Sequence, residues 1–171
     1  MIYEPREDSL LLQKHVKTHA QGNVLDMGTG SGIQALTALE NTKDVLAVDI
    51  NEEAVKLVKK KGVKSITSDL FSNVKGTFDV IMFNPPYLPQ EERESFEDRV
   101  ALTGGKYGWE IIDRFLAQAK NHLSKEGKIL LVFSTITGDV EFIASKYGYT
   151  CEKLDEESFF FERIYVYALT Q

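Results

Sequence analysis

Short apolar runs that alternate with helix-like segments limit most strongly how this chain can fold. The first run, Val24-Leu25-Asp26-Met27, leads into a glycine-rich turn, Gly28-Thr29-Gly30-Ser31-Gly32, and a helical stretch follows it. Glycines let a backbone approach a ligand closely, and the helix N-terminus beyond the turn favours negative charge. The pattern therefore predicts a strand, turn and helix that could bind a nucleotide-like cofactor.

The same alternation continues along the chain. Strands are predicted near residues 24–27, 45–48, 63–67, 80–83 and 129–133, and helices near 7–17, 31–39, 52–61, 109–123 and 139–147. Two strand-like runs at 149–154 and 159–169, joined by Asp155-Glu156-Glu157, predict a closing hairpin with an antiparallel strand. Such alternation is typical of a doubly wound, mostly parallel α/β sheet with right-handed crossovers.

Polar residues follow several of these strands, at the point where each strand ends. Asp49, Asp69 and Asn84 come after the second, third and fourth strands. Ligands of open α/β sheets bind at the carboxyl edge, where these side chains should converge. Ile33 stands where a dinucleotide fingerprint has its last glycine, which disfavours pyrophosphate binding, whereas Asp49 lies at a suitable distance to pair with ribose hydroxyls.

The tetrapeptide Asn84-Pro85-Pro86-Tyr87 ends the fourth strand and suggests the chemistry. Prolines supply no backbone N–H, so the carbonyls of Asn84 and Pro85 cannot join a regular ladder and remain available to a ligand. A planar amine or amide could donate to the Asn84 side-chain oxygen and to the Pro85 carbonyl, with Tyr87 lying over it. The segment is either a rigid turn or a nitrogen methylation site.

Composition narrows the class of protein. The 171 residues, 43% of them hydrophobic, predict a single domain over 1–171, and the net charge of -6 argues against a free-standing DNA or RNA enzyme. An acidic surface suits a basic protein partner instead. The apolar runs are too short to cross a bilayer, no secretory signal is recognisable and no histidine or cysteine cluster completes a metal site. These features predict a cytoplasmic protein without a metal.

Together, the glycine turn, Asp49, Asp69-Leu70 and the Asn-Pro-Pro-Tyr motif resemble class I S-adenosylmethionine-dependent methyltransferases. The segments Tyr3-Glu4-Pro5-Arg6-Glu7-Asp8-Ser9 and Ala101-Leu102-Thr103-Gly104-Gly105 are similar to the HemK family, in its small archaeal and eukaryotic branch. That branch methylates the glutamine of a GGQ motif in class I peptide release factors. The resemblance implies a Rossmann-like seven-stranded sheet in the order 3-2-1-4-5-7-6, with one antiparallel strand and an N-terminal helix and lid.

The resemblance also assigns site residues. For catalysis and substrate binding it implies Asn84, Pro85, Pro86 and Tyr87, with Leu88 added for the substrate. For S-adenosylmethionine it implies Tyr3, Glu4, Ser9, Asp26, Gly28, Gly30, Asp49, Ile50, Asp69, Leu70 and Asn84. Because a glutamine amide nitrogen is a poor nucleophile, the expected contribution of these residues is positioning rather than strong general-base catalysis.

Partners and rival functions follow from the same residues. The resemblance implies a release factor as substrate and a small zinc-binding activator protein as heterodimer partner, paired along the third strand. The charged stretch 89–106 is either a solvated face or a wall of the substrate cleft. Phe159-Phe160-Phe161 is expected mainly in the core, but three adjacent residues cannot all face one side of a strand, so at least one ring is expected to be covered by something else. The alternatives are a nucleic-acid amino methyltransferase, acting on adenine N6 or guanine N2, and a noncatalytic nucleotide-binding scaffold.

Overall fold

The computed structural model describes residues 2, 4–87 and 105–171. Within these ranges the helices are α1 Glu7–His19, α2 Ile33–Ala38, α3 Glu52–Lys60, α4 Glu110–Ala119 and α5 Val140–Lys146, with a short 3-10 turn at Lys120–His122. The strands are β1 Val24–Met27, β2 Val45–Asp49, β3 Lys64–Thr67, β4 Phe78–Phe83, β5 Leu123–Ser134, β6 Thr150–Ser158 and β7 Arg163–Thr170. None of the described helices is both long and apolar enough to cross a lipid bilayer.

The strands form one sheet in the order β3-β2-β1-β4-β5-β7-β6. Strands β1 to β5 pair in parallel, and β7 runs antiparallel to both of its neighbours. This confirms the predicted fold class, the strand order and the single antiparallel strand. Strands β1, β2 and β4 read as apolar runs because helices cover both faces of the sheet, so most side chains of both orientations are buried.

Two apolar clusters occupy the two faces of the sheet. Successive residues of β4 alternate between them: Val80 and Met82 join the cluster with α1, α2 and α3, whereas Ile81 and Phe83 join the cluster with α4 and α5. Such alternation is the period of a strand. The sheet is therefore doubly wound, and the carboxyl ends of β1, β2 and β4 open at one edge between the two helical layers.

Strand β5 is longer than its sequence indicated. The predicted strand at 129–133 begins at Leu123 instead, and the predicted helix at 109–123 ends at Ala119 before the 3-10 turn. Phe78 pairs with Leu123 while Val80 pairs with Lys128, so the ladder shifts register within β5. This part of the strand, residues 124–128, could not be predicted from the sequence, because a bulged and half-exposed segment is polar and lacks an apolar period.

The closing hairpin exists, but its turn lies later than predicted. Asp155, Glu156 and Glu157 belong to β6 and pair with β7, and the turn is closed by the Phe159 N–H donating to the Glu162 carbonyl at 2.8 Å. Phe160 and Phe161 lie at its tip, 93% and 88% exposed, so their expected core placement is wrong. The pairing of Ser158 with Arg163 fixes this register and leaves the two rings outside the sheet.

Candidate active site

A cavity of about 650 Å³ opens at the carboxyl edge of the parallel strands, within the usual size range of small-molecule sites. The predicted site residues that line it are Ser9, Asp26, Gly28, Gly30, Asp49, Ile50, Asp69, Leu70, Asn84, Pro85, Pro86 and Tyr87. Glu4 is exposed and is not among the lining residues. Tyr3 and Leu88 lie outside the described residues.

The glycine turn after β1 forms the floor of this cavity. Gly28 and Gly32 have φ angles of 65° and 85°, in the left-handed region that favours glycine. A Cβ atom at Gly28 would lie 3.3 Å from the Phe83 ring, and one at Gly32 would lie 2.8 Å from a Val58 methyl carbon. The turn therefore requires glycine for its backbone conformation and leaves main chain facing the ligand space.

Asp49 ends β2 and is held by backbone amides. Its Oδ2 accepts from the Gly30 N–H at 2.9 Å, and its Oδ1 accepts from the Asn51 N–H at 2.9 Å. Burial raises the pKa of this carboxyl, and the amide N–H groups oppose the shift by stabilising the anion. Each carboxylate oxygen retains further acceptor capacity for ligand hydroxyls. Beside it, Ile50 is 56% exposed and adds apolar surface to the cavity wall.

Asp26 is a buried carboxyl within β1, two residues before the glycine turn. Its Oδ2 accepts from the Thr29 hydroxyl at 2.6 Å and from the Ala35 N–H at 3.1 Å. Burial raises the pKa of Asp26 to about 7, although both hydrogen bonds favour the ionised form. The side chain thus links β1, the turn and the beginning of α2.

This raised pKa predicts a pH dependence of stability. The folded state retains the Asp26 proton between about pH 4 and pH 7, whereas the unfolded chain loses it, so this group's contribution to the free energy of unfolding declines as pH rises. Asp26→Asn keeps an accepting oxygen but cannot ionise. We therefore expect its free energy of unfolding to lack this decline, which is up to about 1.4 kcal/mol per pH unit. Urea denaturation of both proteins across this window measures it. Parallel profiles for the two proteins would contradict the prediction.

Asp69 and Leu70 follow β3 on the other side of the cavity. Leu70 is buried and has a φ of 46°, the one positive value at a non-glycine residue within the described ranges. The guanidinium of Arg114 on α4 donates to Asp69 Oδ2 at 2.8 Å, with both side chains about half exposed. Sequence reasoning missed Arg114, because nothing in its local pattern distinguishes it from an exposed helix residue.

Asn84 is held by residues at the beginning of α1. Its Nδ2 donates to Asp8 Oδ2 at 3.1 Å and to the Ser9 hydroxyl oxygen at 3.3 Å. The Tyr87 hydroxyl donates to the same Asp8 oxygen at 3.3 Å, and the Thr137 hydroxyl donates to the Tyr87 carbonyl at 3.4 Å. Asp8 was not assigned a role from the sequence, although it lies within the N-terminal motif beside Ser9.

Unpaired acceptors concentrate in this cavity. Among the described residues, the buried side-chain atoms without a hydrogen-bond partner are Gln34 Oε1, Asn84 Oδ1 and Glu162 Oε2, and all three residues line it. A buried acceptor left unsatisfied costs about 1–3 kcal/mol. The site therefore suits a ligand that brings N–H or O–H donors to three separate positions.

The family model for the methyltransferase small domain matches residues 7–161. The chain belongs to this methyltransferase family. Membership confirms the predicted S-adenosylmethionine-dependent methyltransferase class. The matched region includes the glycine turn, the carboxylates at the strand ends and the Asn-Pro-Pro-Tyr motif.

Relatives in this methyltransferase family are similar over most of the chain. It is 42% identical over 151 residues to a predicted protein N5-glutamine methyltransferase of Methanocaldococcus jannaschii, covering 83% of this chain and 77% of that protein. It is 32% identical to the methyltransferase HEMK2 of Mus musculus, over 77% and 71% of the two chains. A release factor glutamine methyltransferase of Streptococcus pneumoniae is 32% identical over 71% of this chain but only 48% of its own length. The chain thus spans about half of that bacterial relative.

Solved methyltransferase structures share the fold. Superposition on the E. cuniculi Mtq2-Trm112 complex, responsible for methylation of the translation termination factor eRF1, gives a TM-score of 0.82 at 24% identity, covering 99% of this chain and 98% of that one. A ribosomal protein L11 methylase from Lactobacillus delbrueckii gives 0.73 at 18% identity, covering 100% and 82%. These likenesses confirm the Rossmann-like methyltransferase architecture.

Proposed function

We propose that this protein transfers a methyl group from S-adenosylmethionine to the side-chain nitrogen of the glutamine in the GGQ motif of a class I peptide release factor. Asn84 Oδ1 carries the proposal: it is a buried, unpaired acceptor on a residue that lines the cavity of a methyltransferase, and it is suited to an amide N–H donor. The names of the relatives support protein-glutamine methylation as the activity. Residues 1–171 would act as one methyltransferase domain with an N-terminal helix and lid.

The cavity fits the cofactor in size and in donor set. Asp49 would accept from the ribose hydroxyls, and the glycine backbone around Gly28 would face the amino acid part. Ile50 and Leu70 offer apolar surface to the adenine, with Asp69 near its amino group. Ser9 and the unpaired Gln34 Oε1 add acceptors for the ammonium group. When bound, the cofactor supplies an electrophilic methyl group.

Positioning of the glutamine amide would fall to the Asn-Pro-Pro-Tyr segment. Asn84 Oδ1 and the Pro85 carbonyl would accept the two amide N–H bonds and aim the nitrogen at the methyl group, with Tyr87 covering the planar amide. Orientation of this kind can contribute on the order of 7–11 kcal/mol to lowering a barrier, so a strong base is unnecessary. Because Asn84 Oδ1 is screened from solvent, the incoming amide must displace part of its cover.

The rim of the cavity suits a protein substrate. Phe159 and Glu162 of the β6–β7 turn line the cavity, while Phe160 and Phe161 extend beyond it in an edge-to-face pair with ring centroids 4.6 Å apart. Exposed aromatic side chains next to a site are typical of protein-binding surfaces. The proposed substrate wall at 89–106, with Leu88 before it, lies almost wholly outside the described residues.

A small partner protein would pair with the exposed edge of the sheet at β3. That strand ends the sheet, and its residues Lys64 to Thr67 are only partly buried. The E. cuniculi relative is itself a complex with Trm112. We propose that the partner here is a small zinc-binding activator and that the heterodimer works in the cytoplasm, where release factors act. Full activity of the isolated, monodisperse chain would contradict the need for a partner.

Incubation with labelled S-adenosylmethionine distinguishes this proposal from its rival, nucleic-acid amino methylation. We expect label on the GGQ glutamine of a release factor, located by mass spectrometry of its tryptic peptides, and none on DNA or RNA. A release factor with GGQ changed to GGN is the matched control, because it keeps the amide and shortens the reach by one methylene. Label on nucleic acid, or on the release factor at another residue, would contradict the proposal.

A further inference from the structure

Asp8 lies in the first turn of α1 and joins this helix to the Asn-Pro-Pro-Tyr segment. It is buried at 4% exposure, and its two carboxylate oxygens face different partners. Oδ1 accepts from the Ser9 N–H at 2.7 Å, whereas Oδ2 accepts from Asn84 Nδ2 at 3.1 Å and from the Tyr87 hydroxyl at 3.3 Å. We infer that Asp8 is a positioning residue that fixes which end of the Asn84 amide faces the substrate; this rests on the proposed function.

A carboxylate can fix this orientation because it only accepts hydrogen bonds. An asparagine side chain can rotate by half a turn and exchange its oxygen and nitrogen with little change in shape. With Asp8 beside it, Asn84 must direct Nδ2 towards the carboxylate, which leaves Oδ1 as the unpaired acceptor that the substrate amide would reach after displacing its cover. In the opposite orientation an NH₂ group would meet the NH₂ group of the substrate glutamine, and neither could bond.

Asp8 Oδ2 also orients the Tyr87 side chain. Its phenol shares Asp8 Oδ2 with the Asn84 amide, so one buried carboxylate orients both side chains that would contact the substrate amide. Hydrogen bonds to a charged acceptor are stronger than neutral ones. The carboxylate also polarises the Asn84 amide and increases the negative charge on its oxygen, which strengthens the bond to the substrate N–H.

The variant Asp8→Asn separates this role from a structural one. The Ser9 N–H still requires an oxygen at the Oδ1 position, so the new NH₂ group takes the position of Oδ2 and faces Asn84. Asn84 then turns its own oxygen towards residue 8 and presents NH₂ to the substrate. Asp8 lies in the first turn of α1, so loss of its charge should destabilise the helix only slightly, and Glu7 remains as an acidic residue of that turn. We expect kcat to fall roughly 100-fold, with cofactor Kd nearly unchanged.

Reversing the pair should restore the orientation. In Asp8→Asn with Asn84→Asp, the amide at position 8 donates to the carboxylate at position 84, whose other oxygen faces the substrate. We expect kcat at pH 8 to exceed that of either single variant by at least about tenfold, because the single variant Asn84→Asp opposes two carboxylates. Glu53→Gln, at the exposed first turn of α3, is the control for loss of a helix-terminal charge elsewhere.

Two results would overturn the inference. One is near-normal kcat in Asp8→Asn; the other is a folded, cofactor-binding double variant that is no more active than the single ones. Side-chain amide NMR gives a readout independent of turnover: the Asn84 NH₂ protons should show contacts to Ser9 in the original protein and lose them in Asp8→Asn. Failure to methylate a release factor would leave this NMR result intact, so failure of the proposed function can be distinguished from failure of the inference.

Discussion

Replacing Asn84 with alanine is expected to abolish methyl transfer while leaving cofactor binding nearly intact. The substitution removes the unpaired acceptor proposed to hold the substrate amide, but it leaves the glycine turn, Asp49 and the adenine side of the cavity in place. Removing one positioned hydrogen-bonding group at a reacting centre typically costs about 10²–10³ in kcat. Single-turnover methylation of the release factor, together with calorimetric titration of S-adenosylmethionine, measures both effects.

Asn41→Ala is the matched control for this variant. Asn41 also hydrogen-bonds through its side-chain nitrogen, to the Lys17 carbonyl at 2.8 Å, but it is exposed and does not line the cavity. Its kcat should equal that of the original protein. Turnover by Asn84→Ala above about a tenth of normal would show that the amide does not position the substrate.

Replacing Asp49 with alanine should produce the largest loss of cofactor affinity. The carboxylate would accept from the ribose hydroxyls, and hydrogen bonds to a charged group contribute about 1.5–3 kcal/mol each. It also holds the Gly30 and Asn51 amides, so its loss loosens the glycine turn as well. We expect Kd for S-adenosylmethionine to rise about 100-fold or more, and the cofactor-induced increase in Tm to disappear.

Two further variants test whether Asp49 acts by binding S-adenosylmethionine or by holding the glycine turn. Asp44→Ala removes an exposed carboxylate just before β2, at the opposite end from the site, and should leave Kd unchanged. Asp49→Asn retains one accepting oxygen and should fall between Asp49→Ala and the original protein. Equal cofactor-induced shifts of Tm for Asp49→Ala and Asp44→Ala would contradict a role for Asp49 in cofactor binding.

Elements with a regular period or a turn signature were predictable from the sequence. The β1, β2 and β4 strands are apolar runs because both of their faces are buried, and the glycines after β1 indicate a turn whose φ values other residues rarely adopt. Segments whose conformation depends on pairing were not predictable. The bulged start of β5 and the turn at Phe159–Glu162 follow from register with neighbouring strands, which local composition does not encode.

The predicted site is a set of strand ends, and their convergence follows from parallel topology alone. Asp49, Asp69 and Asn84 reach one cavity because each lies at the end of a strand of the same sheet or within two residues of that end. Their partners come from elsewhere in the chain. Arg114 donates a hydrogen bond to Asp69, which lies 45 residues earlier in the chain, and the sequence near either residue does not predict this pair.

The sequence by itself determined the α/β class, the glycine turn and the polar residues at the sheet edge, because these depend on short-range periodicity and on residues with unusual backbone preferences. Only the tertiary structure decided how the acceptors are oriented. Asp8 and Asn84 are 76 residues apart and meet because the first turn of α1 lies beside the residue that follows β4, where a buried carboxylate dictates the direction of a neighbouring amide. Such direction arises from contact in space, and no local pattern of residues carries it.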